Sequence, residues 1–143
     1  MNNLIKAKSI LLNGDFTCVI CKDDTIYTSA LRGVKPLVNW YGEGLNVEGF
    51  SAADKVVGKA TAFLYVLLGV RAVFAGVISK SALKVLTDNT VRAEYDTLSD
   101  YIINRTGDGI CPFEKAVNDI TEPEEAYKVI LEKTKELRVN STA

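Results

Sequence analysis

The chain has 143 residues, 48% hydrophobic and 24% charged, enough to bury a core and too apolar for a disordered tail. Seventeen Lys and Arg against eighteen Asp and Glu leave a formal charge of -1, so there is no basic field for a nucleic-acid backbone. Histidine is absent, which excludes His-ligated zinc, Ser-His-Asp and Cys-His nucleophiles, and imidazole acid-base chemistry.

Leu4, Ile5, Lys8, Leu11 and Leu12 recur at helical spacing before Asn13-Gly14, which predicts an opening helix over 3–13. FTCVIC (16–21) and TIYTS (25–29) are β-rich and flank a short polar KDD, which predicts a hairpin. Its Cys18 and Cys21 form a CxxC on paper, but on a strand residues three apart face opposite ways, so the pair reads as buried side chains. Pro36 near a first turn predicts a helix over 34–41, ended by the glycine-rich GEGLNVEG.

The stretch from Ser51 to Val70 predicts one long, mostly buried helix, with Ser51 as N-cap and Asp54 at the third position. Gly58 inside it costs about 1 kcal/mol relative to alanine, and with Ala60 and Ala62 it marks a place where a strand, helix or ligand comes close. AVFAGVIS (72–79) lacks polar alternation and reads as a central strand covered on both faces. A return helix over 79–89, a strand over 90–95, an amphipathic helix from about Thr97, a short helix at FEKAVNDI and a last helix at EPEEAYKVILEKTKELR follow, and the NSTA tail is expected to fray. A strand, helix, strand unit after a buried helix is the pattern of an α/β three-layer αβα sandwich with a mixed sheet, here as a single domain over 1–143.

Open α/β sheets bind ligands at the carboxyl ends of strands, beside helix N-termini that attract anions. Two glycine-bearing junctions fit. GFSAADKVVGK supplies Ser51, Asp54, Lys55 and Lys59; NRTGDGICPFEK supplies Asn104, Arg105, Asp108, Cys111 and Glu114. Asp54 reads as a general base or ligand-binding carboxylate, or as a helix cap. Lys55 and Lys59, four apart, share a helix face that suits phosphate or plain solvent. Cys111, ahead of Pro112 and near Arg105, reads as a nucleophilic or redox thiol that outreacts Cys18 and Cys21, or as a packed cysteine. Asn104 and Arg105 suit a ligand phosphate or carboxylate, or a helix C-cap; Glu114 suits the same ligand, or the dipole of its own helix.

These two junctions, with the preceding hairpin and the strand, helix, strand unit between them, resemble the cytidine-deaminase-like superfamily. Its Cys/His-Ala-Glu motif would fall on Ala52-Ala53-Asp54 and its Pro-Cys-x-x-Cys motif on Ile110-Cys111-Pro112-Phe113-Glu114. In that alignment Ala52 and Glu114 replace zinc ligands, Cys111 is the one retained, and Asp54 stands for the catalytic Glu. ADKVVGKA with NRTGDGICPFE is similar to a prokaryotic domain-of-unknown-function family that keeps the deaminase-like fold without the zinc ligands, over Ile10 to Leu137. The resemblance implies a cleft for a nucleotide- or nucleobase-like small molecule, with no metal and no cofactor, or a non-catalytic binding or assembly module.

Three scattered cysteines fit a reducing cytoplasm, and the lysine-bearing N-terminus lacks a signal-peptide cleavage site. The longest apolar run, 60–70, is about half of the roughly 20 residues that span a bilayer, so no membrane segment is expected. Trp40, Tyr41 and the apolar faces of the terminal helices predict a homodimer or higher homo-oligomer.

Overall fold

The computed structural model describes residues 2–31, 33–103, 107 and 109–142, with side chains as far as Leu137. Helix α1 (Asn3–Asn13) is capped by the Asn2 side chain, which accepts the Leu4 N–H at 2.8 Å. Strands β1 (Cys18–Lys22) and β2 (Thr25–Ser29) form the expected hairpin, turning at Asp23 with φ 54. Helix α2 (Lys35–Gly42) opens on Pro36. Then come β3 (Ser51–Val57), α3 (Lys59–Leu68), β4 (Ala72–Ser79), α4 (Lys80–Asp88), β5 (Arg92–Ser99), α5 (Pro112–Ala116) and α6 (Pro123–Thr142).

The five strands form one mixed sheet in the order β2-β1-β3-β4-β5. β1 runs antiparallel to both β2 and β3, while β3, β4 and β5 are parallel. Helices cover both faces. Leu4, Ala7 and Leu11 of α1 pack with Val19, Cys21, Ala53 and Phe74 on one side. On the other, Cys18, Ile20, Ala52 and Val73 meet the apolar faces of α2, α3, α4 and α6. Cys18 and Cys21 therefore lie on opposite faces, as strand geometry requires.

Three sequence expectations need correction. Ser51–Val57 is a strand, so Ser51 is not a helix cap and Asp54 is not in a first helical turn. Its small residues serve a strand buried on both faces, where Ala52 faces one cluster and Ala53 the other, and a short apolar run carries no period to separate strand from helix. The helix begins only after Gly58, whose extended backbone (φ -93, ψ 178) is the N-cap. Second, Asp96–Ser99 belongs to β5 instead of opening a helix, and Ile103 bridges to Ile110. Third, α6 continues through Asn140, Ser141 and Thr142 rather than ending before them.

Strand alternation slips where β3 and β4 run closest. Ala52 and Val57 join the same cluster although five apart, as do Ala75 and Ile78, three apart. Gly76 lies at this slip, and a Cβ there would stand 2.7 Å from the Lys55 carbonyl oxygen, so only glycine lets the two main chains pass. Asp54, two after Ala52, faces α3 by regular alternation, and the slip after it returns Val57 to the same side just before α3 begins.

Candidate functional site

β3 and β4 each hand the chain to a helix at their carboxyl ends, β3 through Gly58 into α3 and β4 through Ser79 into α4. Ser79 caps α4 itself, its Oγ accepting the Ala82 N–H at 3.2 Å. Gly58 has no side chain to do so. The Lys59 N–H instead donates at 2.8 Å to Oε2 of Glu114, a residue 55 positions away on α5. Glu114 is 7% exposed, and its other oxygen, Oε1, is buried with no hydrogen-bond partner among the described residues. A buried acceptor left unmade costs on the order of 1–3 kcal/mol. A Cβ on Gly58 would lie 3.1 Å from that Oε1 and 3.2 Å from Cγ1 of Ile102, which is the close approach the glycine signalled. The Lys59 ammonium reaches the Asn118 carbonyl at 2.8 Å and sits 5.8 Å from the Phe63 ring centre.

Four residues before Gly58, Asp54 belongs to a different kind of cluster. It pairs with Cys18 across β1 and β3, and its Oδ2 accepts the Tyr65 hydroxyl at 2.7 Å. Cys18 Sγ lies 3.0 Å from the same hydroxyl, so the Cys18 thiol donates to Tyr65 when Tyr65 donates to Asp54. The Val56 N–H meets Oδ1 at 3.3 Å. Burial is the main cause that pushes the Asp54 carboxyl up to about 7, against the lowering effect of the Tyr65 hydroxyl and the Val56 amide. Burial likewise raises the Cys18 thiol and the Tyr65 hydroxyl, with the neighbouring Asp54 charge adding to both, so these two stay protonated. Cys21 is raised by burial as well.

The model of a domain of unknown function, DUF1893, matches residues 6–134. The chain belongs to the DUF1893 family. The crystal structure of a DUF1893 family protein (TM1506) from Thermotoga maritima is similar at 32% identity and TM-score 0.85, over 93% of this chain and 91% of that one. No curated protein matches it.

Within this DUF1893 fold the two predicted junctions meet at one point, the contact of Glu114 with Gly58 and Lys59. Ser51 is buried at the far end of β3, paired with Cys21 and Ala72, away from that contact. Lys55 is exposed on β3, so the helix face it was to share with Lys59 does not exist. Cys111 directly precedes α5, half-buried, its N–H bound to the Ile102 carbonyl at 2.8 Å. Asn104, Arg105 and Asp108 lie outside the described residues. Tyr65 and Cys18 were missed as partners of Asp54. A signal for Tyr65 existed, since a tyrosine on a helix buried all round must bring its hydroxyl to some partner.

Two surface depressions, of about 550 and 530 Å³, lie at the opposite end of α3. One is lined by Val66, Leu67, Glu122 and Lys128, the other by Tyr41, Asn46, Leu68 and Gly69. Neither touches Asp54, Lys59, Cys111 or Glu114. Both are open to solvent, and the charged side chains of the first lie on or just before α6, whereas the buried carboxylates Asp54 and Glu114 lie on β3 and at the other end of α3, respectively.

Proposed function

We propose that the domain binds a nucleotide-like small molecule, without metal chemistry, at the carboxyl ends of β3 and β4, within a cytidine-deaminase-like αβα arrangement. The observation that carries this is the convergence of two helix starts on adjacent parallel strands with a carboxylate drawn in from a third segment. Zinc does not suit the site. The chain has no histidine, and among the described residues no three Cys, Asp or Glu side chains come together. Asp54, read from the resemblance as the proton shuttle, faces Tyr65 and Cys18 in the core and serves the sheet. Cys111 and Glu114 line the binding position, with Lys59 beside them. The three thiols are free, which suits a reducing cytoplasm, and no described helix is long and apolar enough to cross a membrane.

The assembly module is the second reading, favoured by one observation. Val56, Leu98, Tyr101 and Ile103 are exposed apolar side chains on β3, β5 and the segment just after it. Native mass spectrometry of protein from untreated lysate, followed by titration with nucleoside monophosphates, separates the two. A bound species of nucleotide mass, or saturable binding of one monophosphate, is expected. Dimer without any ligand would favour assembly, and failure of every nucleotide to bind would overturn the first reading.

A further inference from the structure

We infer that Glu114 occupies, from within the chain, an oxyanion position at the N-terminus of α3, and that a phosphate group takes this position by displacing the Glu114 carboxylate. The inference deepens the reading above and rests on it for the ligand class. α3 is a ten-residue helix whose N-cap is a glycine, so its first turn depends on an acceptor from elsewhere. Ala62 is the first residue whose N–H reaches an intrahelical carbonyl, that of Gly58, at 2.9 Å. The N–H groups of Lys59, Ala60 and Thr61 precede it and point out of the helix end, which is the donor set that binds phosphate.

Glu114 serves that set incompletely. One oxygen takes Lys59 N–H; the other is buried without a partner among the described residues, turned toward the bare Cα of Gly58. A planar carboxylate arriving from α5 has the right charge for the helix end but takes only the first of its three donors. A tetrahedral phosphate has acceptor oxygens for all three. Lys59 also carries an ammonium held on the Asn118 carbonyl, just beyond α5, so the residue that receives Glu114 also brings a cation suited to phosphate. Gly58 keeps the approach clear, since any side chain there would meet Glu114 and Ile102.

The test uses inorganic phosphate and the full chain, followed by calorimetry and by thermal melting, with chloride at matched ionic strength as the reference. Glu114→Ala vacates the position and is expected to bind phosphate about tenfold more tightly than the natural chain and to melt higher in phosphate than in chloride. Lys59→Met added to Glu114→Ala is expected to lose most of that gain. If Glu114→Ala does not fold, Glu114→Gln keeps an acceptor for Lys59 N–H and removes the charge, and it too is expected to bind phosphate more tightly than the natural chain. Phosphate affinity unchanged in the folded variant, or matched by chloride, overturns the inference. Nucleoside monophosphates that bind equally with and without the Glu114 carboxylate overturn it while leaving the proposed function standing. Phosphate binding by Glu114→Ala with no nucleotide binding in any form overturns the proposed function alone.

Discussion

Asp54 and Glu114 are both buried carboxylates, one on β3 and one brought by α5 to the residues just after β3, yet they are held in opposite ways. Asp54 has both oxygens met, by Tyr65 and by the Val56 amide, and sits inside the sheet-helix core. Glu114 has one oxygen met and one without a partner among the described residues, and it reaches across 55 residues to cap a helix that lacks its own cap. A satisfied polar cluster fixes the packing around it, whereas a half-satisfied one stores free energy that a better partner can recover. On the proposed reading this contrast gives Asp54 an architectural role and Glu114 the binding one, although the residue types alone do not distinguish them.

The largest expected effect comes from pH acting on Asp54. Its folded pKa of about 7 lies above the usual carboxyl value of 3.8, so the folded state holds the proton more tightly than the unfolded one. The stability this confers is complete below about pH 4 and is lost as pH rises through 7, a span worth roughly 4 kcal/mol. Denaturant midpoints measured from pH 5 to pH 8 should fall with rising pH in the natural chain and fall much less in Asp54→Asn. Equal slopes in the two would mean that Asp54 is not the group responsible.

Tyr65→Phe comes next. It strips Asp54 of its best donor and Cys18 of its partner, at a cost of about 1–3 kcal/mol. Because the hydroxyl favours the ionised carboxylate, the loss should be greater at pH 8 than at pH 5, which separates it from a simple packing defect. On the Glu114 side the effects are smaller. Glu114→Ala should cost about 0.5–2 kcal/mol, as lost caps do. Gly58→Ala should cost a similar amount by pushing Glu114 and Ile102 aside, and its effect should shrink in the Glu114→Ala background; urea melts of the singles and the double check both. The smallest effect concerns the thiols. Alkylation near neutral pH, resolved by mass, should label Cys111 before the buried Cys18 and Cys21, and labelling of all three only on unfolding would show Cys111 to be sealed as well.

Much of this fold is legible in the sequence. The opening helix, the hairpin, the opposed cysteines, the central strand over 72–79 and the approach to Gly58 follow from period, turn residues and composition. Ser51–Val57 is not legible as a strand because alanines in a strand wedged between two layers look like helix formers, and Gly58, which is the boundary, looks like a flaw in a helix. β5 was cut short because Thr97, Leu98 and Ser99 carry an edge strand with little burial to mark it. In the site, Glu114 was found as a candidate by its place in a glycine-bearing junction. Its task, capping a helix 55 residues earlier, is a tertiary contact that no local pattern encodes. Asp54 was also singled out, but its partners come from β1 and α3, and only the antiparallel register of Cys18 with Asp54 brings them together.

The division between the two carboxylates can be read directly by carbon-detected NMR of side-chain carboxyl groups while inorganic phosphate is titrated at constant ionic strength. The account predicts that the Glu114 carboxyl resonance moves and saturates with phosphate while that of Asp54 stays in place. A shift at Asp54 with Glu114 unmoved would contradict it.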